Sequence, residues 1–184
     1  MEAGLVTRAR RGDEEAFQEL YRMHRRSVFQ FAWRMTRSQP AAEDVAQECF
    51  LMLLEGAGFD PRRGGLRTYL LGMARHLSLK RMRVSIREAA EAEEAEDAAG
   101  PLDPLGDLLT AERSAIVGRA VSELPLPQRE ALILFEYEEL SMEEIARVTG
   151  SDVGAIKGRL FRARETLRRR LGPLMAAQTA RSTS

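Results

Sequence analysis

The chain has 184 residues, 44% of them hydrophobic, with 28 basic and 28 acidic side chains and no net charge. That length holds one domain or two small ones, each with a core. A single cysteine excludes an intramolecular disulfide and a cysteine zinc site, and no apolar run reaches the ~18–20 residues that cross a bilayer. With no signal-peptide pattern at the start, a cytoplasmic protein without membrane insertion is expected. The neutrality is a sum of unlike parts. Residues 1–85 carry 15 basic and 10 acidic groups, residues 86–112 one basic and nine acidic, and residues 113–184 twelve basic and nine acidic. Two mildly basic blocks flank an acidic spacer.

Residues 13–37 read as one long helix or two nearly collinear ones. Asp13 is a natural N-cap, and Phe17, Leu20, Tyr21, His24, Val28, Phe31, Ala32 and Met35 form one stripe. A second helix starts at Ser38-Gln39-Pro40 and runs to about Glu55. Ala42, Val45, Ala46, Cys49, Phe50, Leu53 and Leu54 face inward, and Glu43, Asp44, Gln47 and Glu48 form an acidic, amide-bearing surface. Four glycines and a proline make residues 56–65 a loop. Phe59 plugs it, and Arg62 and Arg63 are exposed. A third helix follows from Leu66 to about Val84, with Tyr69 and Leu70 on an apolar face and Arg67, Arg75, Lys80, Arg81 and Arg83 basic. An arginine-bearing loop beside an aromatic and basic helix suits a single nucleic-acid strand, with bases on aromatics and arginines along the backbone.

Residues 86–110 lack a core pattern and read as a flexible acidic linker. Helical spacing resumes from Leu108 to Leu124 and again from Gln128 to Tyr137. Then comes Ser141–Leu171. Ser141 and Glu144 form a capping box, Gly150 ends a short helix, and Asp152 caps a longer one with Val153, Ile156, Leu160, Ala163 and Leu167 inward. Its other face carries Lys157, Arg159, Arg162, Arg164, Arg168, Arg169 and Arg170. This is either an αα-hairpin with solvated arginines or a helix-turn-helix whose second helix enters a major groove. The caps, the turn glycine and the small residues Gly154, Ala155 and Gly158 favour DNA, because small side chains let the backbone approach the duplex closely. Residues 173–184 read as a frayed tail. The expected fold is all-α, with domains at 1–85 and 111–172. His24 and His76 lack ligand-spaced partners, and no paired carboxylates, nucleophile triad or phosphate-cradling loop appears. No metal, cofactor or enzymatic activity is expected.

Two blocks then carry a resemblance. AFQELYRMHRRSVFQFAWRMTRSQPAAEDVAQECFLMLL with FDPRRGGLRTYLLGMARHLSLKRMR is similar to region 2 of sigma-70 family RNA polymerase sigma factors. LPLPQREALILFEYEELSMEEIARVTGSDVGAIKGRLFRARETLRRRL is similar to region 4. The order of the blocks and the short linker resemble the extracytoplasmic function (ECF) type. The resemblance implies a promoter-specificity subunit with three surfaces. Asp44, Gln47 and Glu48 match positions that grip a coiled coil of the polymerase β′ subunit. Phe59, Asp60, Arg62, Arg63, Arg67 and Tyr69 match positions that hold the melted −10 strand. Lys157, Gly158, Arg159, Phe161 and Arg162 match positions that read the −35 element, with Arg164 on phosphate. Implied partners are the polymerase core, including its β subunit, promoter DNA, and an anti-sigma factor of the kind that wedges between the two domains. The family's usual GTVKSRL stands here as Gly154-Ala155-Ile156-Lys157-Gly158-Arg159-Leu160, without its two hydroxyls. The residues alone also fit a free-standing helix-turn-helix regulator whose N-terminal domain binds a ligand or dimerises.

Overall fold

The computed structural model describes residues 2–56, 58–91 and 108–181, and the chain divides into two compact units, Met1–Ala99 and Gly100–Ser184. Every described secondary-structure element is helical.

The first unit contains α1 (Glu2–Ala9), α2 (Glu14–Thr36), α3 (Gln39–Leu54) and α4 (Leu66–Glu91). Helix α2 begins where Asp13 accepts a hydrogen bond from the Ala16 amide at 3.0 Å. That amide and the side chain of Arg8 hold the Asp13 carboxyl below its ordinary range, so the cap is ionised at neutral pH. The expected stripe is the core: Leu20, Val28, Phe31, Ala32 and Met35 are buried against Val45, Cys49, Phe50 and Leu53 of α3 and Leu70, Leu71 and Ala74 of α4. Phe17 and Tyr21 flank that core, and both make edge contacts with Phe50, at 6.3 and 4.9 Å between ring centroids. Arg37 takes the left-handed conformation that ends α2, and Ser38 at once caps α3 by accepting from the Ala41 amide. Two residues therefore reverse the chain. Burial pushes the Cys49 thiol up to about 12, the behaviour of a core filler and not of a nucleophile.

Two features of this unit differ from expectation. Helix α1 packs Val6 and Ala9 against the bundle. Its Glu2 carboxylate lies 2.9 Å from Nε2 of the buried His24, and the Arg10 side chain donates to the Leu53 carbonyl. Helix α4 continues past Val84 to Glu91, into the stretch expected as linker. The Arg-Glu-Ala-Ala-Glu run there consists of strong helix formers, whose propensity favours continuing the helix. Most of the expected linker lies outside the described residues.

The second unit holds α5 (Leu108–Ser122), α6 (Leu126–Leu132), α7 (Met142–Thr149) and α8 (Val153–Arg181). The helix expected over 128–137 is instead α6 followed by a π-helical turn, Ile133–Tyr137. The wider turn closes with the Glu138 amide on the Ile133 carbonyl and sets Leu140 into the core. Helix α8 runs through Pro173 instead of fraying after Leu171. Ser141 and Glu144 make the capping box in full, at 3.2 and 2.9 Å. Asp152 caps α8 by accepting from the Ala155 amide at 2.8 Å.

Gly150 sits at φ +66° between α7 and α8, and a Cβ there would meet no atom within 4 Å. The cost of Gly150→Ala is therefore conformational alone, roughly 1–2 kcal/mol. Equilibrium urea unfolding should show that loss, and a substitution that leaves the midpoint unchanged would show that the turn tolerates a side chain.

Candidate nucleic-acid interface

Helix α8 is placed by one buried stripe. Ile156, Leu160 and Ala163 point into the second unit, while Val153 and Leu167 are half-buried at its margins. The helical period then directs Lys157, Phe161 and Arg162 outward. Phe161 is 70% exposed, high for a large apolar side chain. Among the described residues no ion pair holds Lys157 or Arg162, so both cations are available to an anionic partner. Gly158 lies beneath Arg162: a Cβ at 158 would lie 3.4 Å from Nη1 of Arg162. That is van der Waals distance, so the guanidinium lies along the helix against position 158 and an alanine would fit beneath it.

The remaining cations of α8 divide differently. Arg159 and Arg164, expected among the DNA contacts, are engaged within the unit. Arg159 is half-buried, with Nη1 3.7 Å from the carboxylate of Glu130 on α6. Arg164 donates to the Glu136 carboxylate from Nη2 at 2.7 Å and Nε at 3.2 Å, and its guanidinium lies 5.2 Å over the Phe135 ring. Arg168 pairs with Glu165 and Arg170 with Glu123. Glu165 stands three residues before Arg168, a helical spacing, but Glu123, Glu130 and Glu136 lie on other elements and no spacing in the sequence marks them as partners.

In the first unit the loop after α3 is held by Asp60. Its carboxylate accepts from the Arg62 amide and from Arg62 Nε, both at 3.0 Å, and from Nη2 at 3.2 Å. These bonds hold the Asp60 carboxyl below its usual range. Arg62 is thereby tied back to the loop, and Arg63 is exposed. Phe59 packs on Tyr69 at 5.4 Å between ring centroids, a tilted pair at the start of α4. Burial pushes the Tyr69 hydroxyl up, so it stays protonated at neutral pH. Arg67 turns toward α2, with Nε donating to the Ser27 hydroxyl at 3.3 Å. The structure thus gathers Phe59, Asp60, Arg62, Arg63 and Tyr69 in one loop-and-helix patch, with Arg67 at its α2 side.

On α3, Asp44 and Gln47 are exposed and Glu48 is half-buried. The two acids are bridged by Arg81 of α4, whose Nη1 donates to Asp44 and Nη2 to Glu48, both at 3.0 Å. Leu51, 54% exposed, lies one turn further along the same face. Arg81 was legible only as one more basic residue of its helix. That it crosses to α3 is a tertiary fact.

Both units match known proteins. The family model for sigma-70 region 2 matches residues 20–87, and the model for sigma-70 region 4 matches residues 114–167. The RNA polymerase sigma-H factor of Pseudomonas aeruginosa is 33% identical over 93% of this chain and 94% of its own length. The ECF RNA polymerase sigma factor SigW of Bacillus subtilis is 28% identical over 92% of this chain and 96% of its own. Among solved structures, the sigma factor RpoE of Bartonella quintana in complex with the anti-sigma factor NepR is 25% identical at a TM-score of 0.72, over 85% of this chain and 96% of that one. The two matched regions fall one in each compact unit, in the order the family requires. The chain belongs to the ECF group of the sigma-70 family of RNA polymerase sigma factors.

Proposed function

We propose that this sigma factor directs core RNA polymerase to promoters through three surfaces. Lys157, Gly158, Phe161 and Arg162, flanked by Arg159 and Arg164, meet the −35 element in the major groove. There a guanidinium fits a guanine edge and Phe161 packs on a thymine methyl. The Phe59–Tyr69 pair with Asp60, Arg62, Arg63 and Arg67 holds the unpaired −10 strand, so that stacking offsets the few kcal/mol per base spent on unstacking. Asp44, Gln47 and Glu48 dock on the polymerase, in the manner the family uses for the β′ coiled coil, and the β subunit completes the core partner. The observation that carries the reading is the pairing of region 2 and region 4 matches, one in each unit, with Lys157 and Arg162 on the outward face of α8 held by no ion pair among the described residues. Such a factor acts in the cytoplasm, is not an enzyme and takes an anti-sigma protein as a regulatory partner. No described helix is long and apolar enough to cross a membrane.

Run-off transcription with purified bacterial core and a library of promoter fragments tests the function. Specific initiation is expected only when protein and core are both present. Tight, specific DNA binding by the protein alone, with no transcription on adding core, would favour a free-standing regulator.

The docking surface makes a separate prediction. With Arg81 in place, Asp44 and Glu48 present a local charge of −1 to a basic partner. In Asp44→Asn/Glu48→Gln that charge becomes +1, because Arg81 remains. Core affinity is expected to fall about tenfold or more, chiefly at low salt. Unchanged binding in a titration of labelled core would remove this face from the interface.

A further inference from the structure

The buried stripe of α8 is bordered on both sides by arginines, and both are tied to the same supporting segment. Ile156, Leu160 and Ala163 fix which side of the helix faces the core. The stripe fixes the buried side of α8, and directional polar contacts at its margins resist rotation about the helix axis. Arg159 lies on one flank and reaches Glu130 on α6, 3.7 Å away. Arg164 lies on the other and reaches Glu136 and the Phe135 ring on the π-helical turn. Glu130 is 3% exposed, so water screens this ion pair less than it would a surface one, although at 3.7 Å it is longer than a hydrogen bond. Glu130 lies on α6 and Glu136 on the π-helical turn that follows it, so the two arginines are anchored at different points of one supporting segment. Rolling α8 either way lengthens one pair or the other.

We propose that Arg159 and Arg164 are positioning residues: a two-point clamp that sets the roll of α8 and so the aim of Lys157, Phe161 and Arg162, in place of contacts to bases. The inference rests on the reading that the outward face of α8 meets −35 DNA. It changes what two of the arginines do there.

A reader and a positioner leave different signatures. Removing a reader relaxes discrimination at the base pair it touches, roughly 5–150-fold for a good contact. Removing a positioner lowers discrimination at all contacted positions together, because every reader is misaimed. The experiment uses the full chain with core polymerase and a duplex selected by the wild-type protein from a library randomised in the −35 region. Affinity is measured for that duplex and for each of its single-base variants, at several salt concentrations, with helicity followed by circular dichroism. Arg162→Gln is expected to relax one position. Arg159→Gln is expected to lower discrimination at every position at least about twofold, with an unchanged slope of log affinity against log salt. Glu130→Gln should reproduce that pattern, and the double substitution should be no worse than either single one. Arg159→Lys, which keeps the charge, should restore most of the discrimination.

A salt slope reduced by about one in Arg159→Gln, with Glu130→Gln silent, would make Arg159 a phosphate contact and overturn the clamp. Additive effects of the Arg159 and Glu130 substitutions would do the same. If Arg159→Gln loses helicity, Glu130→Gln and Arg159→Lys carry the test on the same criteria. If instead the Lys157 and Arg162 substitutions leave selection of the duplex intact, the DNA-reading face itself is wrong, a failure distinct from that of the clamp.

Discussion

Replacing Lys157, Phe161 and Arg162 together with alanine is expected to lower promoter-specific initiation at least about 100-fold while leaving the fold intact. Each good base contact is worth about 1–3 kcal/mol, and three that share one groove are less than additive, so two or more orders of magnitude is the conservative sum. The fold is spared because all three side chains are exposed, and alanine is the best helix former. The informative comparison is Arg168→Ala/Arg169→Ala/Arg170→Ala. It removes the same number of side chains, all exposed cations. Two of them are already engaged, Arg168 with Glu165 and Arg170 with Glu123, and all three lie beyond the exposed Phe161 turn. Run-off transcription at two salt concentrations separates the sets: the first triple should fail at both, and the second should show a modest loss that low salt repairs. Equal losses would mean that α8 meets DNA as a diffuse basic rod and not through one reading face.

The long elements were legible because each repeats a simple signal many times. Helix α2 offers a stripe over 23 residues between an Asp13 cap and a Ser38 restart, and no other periodicity fits it. Helix α7 is short but carries a complete capping box and a glycine stop. Helix α1 has eight residues and two buried positions, too few for a period to show. The extension of α4 was hidden for the opposite reason: its last turns have helix propensity but no stripe, and a polar Ala/Glu run reads equally as linker. The π-helical turn begins in the apolar run Ala131 to Phe135, where a continuous hydrophobic string gives no phase. Pro173 reads as a stop, yet α8 passes through it.

The candidate interface was legible in composition more than in partnership. Spacing put seven cations on one helix, and the resemblance named which of them meet DNA. What spacing does not carry is the destination of a long side chain. Arg159 and Arg162 are three residues apart and chemically identical, yet one turns to the buried Glu130 and the other lies outward over Gly158. Arg81 likewise looked like one basic residue among five, and its role emerges only when α4 is laid across α3. Acidic partners set 28 to 47 residues away in sequence, as Glu136 and Glu123 are from Arg164 and Arg170, leave no local trace.

Phe50→Ala tests the link from core to function in the first unit. Phe50 is 2% exposed and joins α3 to α2 through its edge contacts with Phe17 and Tyr21. Truncating a buried phenylalanine costs about 3–5 kcal/mol, from lost burial and the cavity left behind. A unit of this size has roughly 5–15 kcal/mol in total, so a third or more of its stability is at stake. The same helix presents Asp44, Gln47 and Glu48. Core-polymerase binding is therefore expected to survive in the cold and to fall off on warming at a temperature well below that of the wild type, recovering on cooling. The second unit has its own core in Leu124, Leu134, Ile145, Ile156 and Leu160, which the substitution does not touch. Urea unfolding gives the stability loss, and labelled-core titration across temperature gives the function. A loss below about 1 kcal/mol would mean that Phe17 and Tyr21 collapse into the gap and that the aromatic trio is a rim of the bundle, with the aliphatic stripe of α2 as the true organiser of α3. A loss of the expected size with polymerase binding unchanged at every temperature would instead separate α3 from the docking role assigned to it.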